Sequence, residues 1–340
     1  MPMRDIIVVG GSAGGIEALQ RLVHGLPSDL PAAMLVVLHT HPTSPGYLPQ
    51  ILSRNGPLLA EHAADGAPLS PGKIMIAPPD HHLLIEGEHV RLTRGPKENR
   101  SRPAIDPLFR SAAYFYGPRV IGVVLSGMLD DGTAGLWTIK DRDGLAVVQE
   151  LEDAAFPSMP ESALRHVAVD YQMPATGMGP LLGRLAREAV PEADLPAVPK
   201  SLEIETRIAM EDSALDRGIF QLGDLSPFTC PECHGVMVQV REGGRLRFRC
   251  HTGHAFSANN LLSGLTASIE EALWNAMRGV EESGMLMQHM ARHLAEQGDA
   301  VTASRFAAKA QQAHQRAQLL KQLATQQEQF SEDQLRSDTA

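Results

Sequence analysis

Four consecutive β-branched residues, Ile6-Ile7-Val8-Val9, run straight into a glycine-rich stretch, Gly10 to Gly15, and then into an amphipathic segment from Ile16 to Leu26. Branched side chains favour extended backbone, glycines permit a tight turn, and the period that follows is helical. The alternation continues. Met34 to Leu38, Lys73 to Ala77, Leu83 to Glu86, Val120 to Leu125 and Ala146 to Gln149 read as short strands. Ile105 to Tyr116 and Asp131 to Asp141 read as helices. Strands that are apolar throughout are buried on both faces, as in a sheet covered by crossover helices. Residues 1–187 therefore predict an α/β domain: a doubly wound, mainly parallel sheet with helices on both faces.

The remainder changes character. Residues 188–226 hold Pro191, Pro196 and Pro199 among acidic residues and show no strong period, which predicts a linker or a strap across the first domain. Residues 227–257 contain all three cysteines. Residues 258–330 are rich in Ala, Gln, Leu, Met and Glu, with Leu261, Leu262, Leu265, Ile269, Leu273 and Met277 at helical spacing. A break at Gly298-Asp299 predicts two antiparallel helices, a helical hairpin. The last ten residues are polar and are expected to fray.

Composition removes several classes of function. With Lys+Arg 30 against Asp+Glu 40 the net charge is -10, which argues against non-specific nucleic-acid binding. No run of about 18 apolar residues predicts membrane insertion. The first residues enter a strand pattern directly, with no h-region of a signal peptide, so a cytoplasmic protein is expected. Three cysteines confined to one segment suit a metal site better than a disulfide framework.

Gly10-Gly11-Ser12-Ala13-Gly14 fits G-x-S-x-G between a strand and a helix. Such a turn lifts a serine hydroxyl above the sheet edge beside the free N–H groups of a helix N-terminus. The competing reading, a dinucleotide-binding turn, requires glycine where Ser12 stands. A serine nucleophile needs a base. His39 directly follows the Met34–Leu38 run, with His41 as an alternative, and Asp130 and Asp131 follow the Val120–Leu125 run, where either aspartate could instead cap a helix. In a parallel sheet these positions lie beyond strand carboxyl ends, where ligands gather. Ser12, His39 and Asp131 are the candidate catalytic residues.

Five segments in order resemble the catalytic domain of the CheB-type protein-glutamate methylesterases over roughly residues 3–187. They are Gly11-Ser12-Ala13-Gly14-Gly15; Val37-Leu38-His39 with its proline-containing loop; Ser101 to Phe109; Leu125-Ser126-Gly127-Met128 with Asp131-Gly132; and Met159-Pro160-Glu161-Ser162-Ala163. The resemblance implies Ser12 as nucleophile, His39 as base and Asp131 as its orienting carboxylate. It also implies an oxyanion hole from the backbone N–H groups of Ala13 and Met128. The implied reaction is hydrolysis of glutamate γ-methyl esters on helical receptor proteins, releasing methanol without a catalytic cofactor, with glutamine deamidation as a second activity. Arg102 is expected either to meet an acidic receptor surface or to make a structural ion pair. Two departures stand out. The family's usual N-terminal phospho-receiver is expected to be absent, because the first strand starts at residue 5, and Ala13 replaces a common threonine. Two other readings remain: a scaffold in a signalling pathway that kept the fold, and an esterase acting on another methyl ester.

Cys230-x-x-Cys233 and Cys250-x-x-x-His254, joined by a hairpin turning at Gly243-Gly244, suit a closed tetrahedral site for a structural zinc in a small zinc-ribbon-like unit, with His251 as the competing fourth ligand. Arg241, Arg245, Arg247 and Arg249 make the hairpin basic, which suits docking on an acidic partner or on the chain's own helices. Met277, Met285, Met287 and Met290 are expected to fill the core of the C-terminal hairpin or to form a partner surface.

Overall fold

The computed structural model describes residues 2–190, 197–210, 213–242 and 245–326. The predicted alternation is present. The elements run β1 (Ile6–Gly11), α1 (Gly15–His24), β2 (Ala33–Leu38), α2 (Leu48–Asn55), β3 (Leu59–His62), β4 (Lys73–Ile76), β5 (His82–Glu86), β6 (His89–Thr93), α3 (Ile105–Tyr116), β7 (Val120–Val124) and α4 (Thr133–Asp141). They continue with β8 (Leu145–Gln149), α5 (Ser158–His166), β9 (Tyr171–Met173), α6 (Ala175–Leu185), α7 (Lys200–Ala209), β10 (Gly223–Thr229), β11 (Val236–Glu242), β12 (Arg245–Cys250), β13 (Ala255–Ser257), α8 (Ala258–Glu296) and α9 (Ala300–Thr325).

Seven strands form one sheet in the order β3-β4-β2-β1-β7-β8-β9, every neighbouring pair parallel. Alternate strand residues face opposite layers. Ile7, Val9, Met34 and Val36 pack with Leu19 and Leu22 of α1 and Leu182 of α6. Ile6, Val8, Leu35 and Val37 pack with Leu108 and Phe109 of α3 and Leu136 of α4. This double burial is why the strands read as unbroken apolar runs. The chain leaves β1 for β2, then crosses to β7 on its other side. β1 is thus the switch point, with a crevice beyond the carboxyl ends of β1, β2 and β7.

The segment expected to be a linker is partly ordered secondary structure. α7 packs against α3, and its Ile204 and Ile208 share a small core with Val238 and Val240 of β11. The helix is short and directly follows the proline-rich stretch, which masks its period in the sequence. Pro191 and Pro196 lie outside the described residues. The second sheet is antiparallel with order β10-β11-β12-β13, so the cysteine unit has a strand upstream of residue 227. The turn at Gly243-Gly244 lies outside the described residues.

A buried ionic network lies where this sheet meets the α/β layer. Glu98 accepts from Arg110 and from Arg249 Nη2 (2.7 Å), and Glu205 accepts from Arg247 Nη2 (2.9 Å) and Arg249 Nη2 (3.0 Å). Of the arginines expected to dock on an acidic partner or on the chain's own helices, Arg247 and Arg249 dock within the chain, on Glu205 of α7 and on Glu98.

Backbone contacts divide the chain after Leu261 into two units. In the second, α8 and α9 are joined by a break at which Asp299 caps α9, accepting from Thr302 N at 3.0 Å. Their seam is not methionine. Ala303, Ala310, Ala313 and Ala317 are buried, Gly284 lies against Ala313, and Met285 and Met290 are exposed. Small residues let two helices approach closely, and Met277 and Met287 are half-buried. The ten polar residues expected to fray lie outside the described residues.

Candidate active site

Ser12 follows β1 directly. Its N–H donates to Ser126 O (2.9 Å) and its carbonyl accepts from Gly15 N (2.9 Å), which closes the turn onto α1. The turn requires Gly14, whose φ is 70°, a region open to glycine at little cost. His39 follows β2, with its N–H bonded to Gly11 O at 3.2 Å. Asp131 lies beyond β7, and the helix expected from Asp131 starts at Thr133 because Gly132, at φ 89°, caps it.

These three side chains meet. His39 Nδ1 lies 3.1 Å from Ser12 Oγ, and His39 Nε2 lies 2.7 Å from Asp131 Oδ2. A carboxylate only accepts, so Nε2 carries the proton and Nδ1 is free to accept from the serine hydroxyl. The ring is turned the other way from the common serine-protease arrangement, in which Nε2 faces the serine. The relay needs only two nitrogens on opposite sides of the ring, and either order supplies them. His41 instead lies 2.8 Å from Thr43 Oγ1 on the surface.

Asp131 is almost fully buried yet held below the usual carboxylate range. Burial opposes its charge. Hydrogen bonds from His39, from Ile105 N (2.7 Å) at the start of α3 and from Asn99 Nδ2 (2.8 Å) outweigh that cost. Two neighbouring aspartates move the other way. Burial and then the charge of Asp131 push Asp106 up to about 7. Burial pushes Asp130 up to about 6, against a hydrogen bond from Ser257. Asp130 accepts from Ser257 Oγ and Asn260 Nδ2, both at 2.6 Å, and faces the second sheet rather than His39.

The backbone N–H groups of Ala13 and Met128 have no acceptor among the described residues. Met128 itself is exposed. Its loop is set by Gly127, which donates to Phe156 O (2.9 Å) and sits so close to Ser12 and Met159 that no side chain fits there. A cavity of ≈ 210 Å³ lined by Leu38, Thr40, Tyr47, Ile51 and His62 lies near the end of β2; none of the three catalytic candidates lines it.

Of the two expectations for Arg102, the structural one describes its position. Nε and Nη2 donate to Asp80 Oδ1 (2.9 and 2.7 Å), and Nη1 donates to the carbonyls of Arg94 and Gly95 (3.0 and 2.8 Å). Its donors are committed to a loop clamp, the structural ion pair that was one of the two expectations. Sequence reasoning missed Asn99, buried against Asp131 and Asp106. A polar residue two positions before the Ser101–Phe109 segment was its only signal.

In the second sheet, ligand atoms of Cys230, Cys233, Cys250 and His254 all lie within 4.8 Å of one another. Cys233 Sγ to Cys250 Sγ is 3.6 Å, Cys230 Sγ to His254 Nδ1 is 3.7 Å and Cys250 Sγ to His254 Nδ1 is 3.5 Å. These are not disulfide distances; they match the edges, about 3.5–3.8 Å, of a tetrahedron with zinc–sulfur and zinc–nitrogen bonds. His251 is outside the cluster, its ring packed over Gly235.

A Methanosarcina mazei protein named protein-glutamate methylesterase/protein-glutamine glutaminase 2 is 35% identical over 193 residues, 54% of this chain and 53% of that protein. The chain thus spans about half the length of that relative. A Leptospira interrogans protein whose name carries the same two activities is 36% identical over 182 residues, 53% of this chain and 94% of that protein. The crystal structure of the Thermotoga maritima CheB methylesterase catalytic domain superposes with a TM-score of 0.52 at 32% identity, covering 54% of this chain and all of that one. The CheB methylesterase family model matches residues 7–182, just over half of the chain, and the chain belongs to that family.

Proposed function

We propose that this protein is a serine hydrolase that removes methyl groups from glutamate γ-methyl esters on chemoreceptor-like signalling proteins, with glutamine deamidation at the same site. The observation that carries the reading is the alignment Ser12 Oγ–His39–Asp131 at 3.1 and 2.7 Å beyond the switch-point strands. Ser12 Oγ attacks the ester carbonyl while His39 Nδ1 takes the hydroxyl proton, and Asp131 stabilises the imidazolium. The tetrahedral oxyanion is received by the N–H groups of Ala13 and Met128, a contribution of a few kcal/mol per donor. Collapse breaks the bond to the methoxy group, which leaves as methanol with the proton from His39. Water, deprotonated by His39, then cleaves the acyl-serine to give free glutamate. From a glutamine amide the same sequence releases ammonia.

The Cys230, Cys233, Cys250 and His254 cluster fits a structural zinc by its donor set and edge lengths. Four protein ligands leave no open position, so the ion's contribution is to hold the knuckles of the second sheet. Thiols kept reduced for such a site suit a cytoplasmic protein, and no helix among the described residues is long and apolar enough to cross a membrane.

The deciding experiment is methanol release from a methylated receptor by wild type and Ser12→Ala. Release by wild type alone supports the reading. Equal rates, or none from either, would leave the scaffold reading or another ester substrate.

A further inference from the structure

We propose that the Cys3His-bearing sheet braces the active site, with Asn99 as a positioning residue for Asp131 and β13 as the element that holds Asn99. The inference rests on the hydrolase reading of Ser12, His39 and Asp131.

The backbone at Lys97–Asn99 runs alongside β13. Ala255 N donates to Lys97 O (3.3 Å), Asn99 N donates to Ala255 O (2.8 Å), and Glu98 and Ala255 form a parallel bridge. Asn99 adopts φ 49°, a left-handed conformation that asparagine tolerates better than most residues. Its side chain spans the two parts of the unit. Oδ1 accepts from Ser257 N (2.9 Å), while Nδ2 donates to Asp131 Oδ1 (2.8 Å) and Asp106 Oδ2 (3.1 Å).

The orientation of that amide decides whether Asp131 gains or loses. Facing the carboxylates, Nδ2 stabilises the charge that polarises His39. Flipped, an oxygen would face two carboxyl groups. Because Ser257 N–H can only donate, it selects Oδ1 and turns Nδ2 toward Asp131. The amide is therefore fixed from both sides, by β13 at Oδ1 and by the carboxylates of the α/β layer at Nδ2.

The same sheet, together with Asn260 at the start of α8, grips the 126–133 loop at two more points. Ser257 Oγ and Asn260 Nδ2 donate to Asp130, the neighbour of Asp131. Arg245 at the start of β12 donates to Thr133 O (3.0 Å) and lies over the Trp137 ring at 5.0 Å. That loop carries both Asp131 and the Met128 N–H. The cluster residues bracket the brace: β12 ends at Cys250, and β13 begins directly after His254. Arg249 Nη1 ties to Gly253 O (2.9 Å) within the same knuckle, and its Nη2 ties to Glu98. Loosening the knuckle frees β13 and, through it, the amide.

The test is the rate at which a fluorophosphonate phosphonylates the full-length chain. Its phosphorus bonds to Ser12 Oγ, fluoride leaves and His39 takes the hydroxyl proton, so the rate reads the relay without a protein substrate. Asn99→Gly keeps the backbone conformation and deletes the amide. Its maximal labelling rate is expected to fall about 10- to 100-fold with the half-saturating probe concentration unchanged. Asn99→Asp adds a carboxylate beside Asp131 and is expected to raise the acid limb of the rate profile by about one pH unit, a shift that a purely structural role would not produce. Cys233→Ser, at the more exposed cluster residue, is expected to slow labelling in the wild-type background and to add little to Asn99→Gly. Circular dichroism confirms that each variant is folded; if Cys233→Ser is not, the two Asn99 variants decide. Asn99→Gly within twofold of wild type, an unmoved acid limb in Asn99→Asp, or a folded Cys233→Ser at the wild-type rate would overturn the proposal. Labelling that persists in Ser12→Ala would instead overturn the hydrolase reading.

Discussion

Asp106 and Asp131 are two buried carboxyl groups that share one donor, the Nδ2 of Asn99, at 3.1 and 2.8 Å. They ionise in opposite directions from the usual range, Asp131 below it and Asp106 up to about 7. The reason is partners: Asp131 has His39 and two N–H donors besides Asn99 within 3.0 Å, whereas among the described residues Asp106 adds only Gly135 N at 2.6 Å.

This difference makes stability depend on pH with a definite sign. The raised value for Asp106 favours the folded state fully below the unfolded pKa near 4, and that contribution is lost as pH rises toward 7. Asp131 works the other way, losing its contribution as pH falls. Asp106→Asn removes the first effect only. Its melting temperature is expected to decline less than that of wild type between pH 5 and 8. Parallel thermal melts across that range check this.

Gly127 has no space for a side chain. A Cβ there would lie 2.0 Å from Met159 Sδ and 2.9 Å from Ser12 Cβ. Gly127→Ala must therefore displace the serine or the Met128 N–H. Methanol release by the folded variant is expected to fall by about 10²-fold, mainly in kcat.

Glu205 is buried beneath Arg247 and Arg249. Glu205→Ala leaves two guanidinium groups short of a counter-charge away from water. A destabilisation of about 3–5 kcal/mol is expected in urea unfolding. Losing less than about 1 kcal/mol would mean the network is not a strut.

The cluster in the second sheet is expected to bind about one zinc per chain, and Cys250→Ser to lose the metal and melt at lower temperature. Elemental analysis of carefully purified protein, paired with thermal melts, tests both. Retained metal in Cys250→Ser would remove that residue from the ligand set.

What was legible beforehand was whatever depends on neighbours in the chain. Unbroken branched runs marked the central strands, Gly14 marked the turn that lifts Ser12, and C-x-x-C with C-x-x-x-H marked two knuckles. Each is a short-range consequence of side-chain shape or ligand reach. The edge strands β3 and β9 escape the sequence because they are short and half exposed, and α7 because it is a short helix directly after a proline-rich stretch.

The amino-acid order by itself determined that a serine, a histidine and an aspartate would stand beyond the ends of adjacent strands. Only the tertiary structure decided which neighbours met: His39 rather than His41 at Ser12, Asp131 rather than Asp130 at His39, His254 rather than His251 among the cysteines, and Arg102 on Asp80. In the first three cases the two candidates sit within three residues, so chain spacing barely separates them. The choice falls to groups far away in sequence, such as Ser12 for the histidines and Ser257 for the aspartates, which reach their partners only once the sheets have closed.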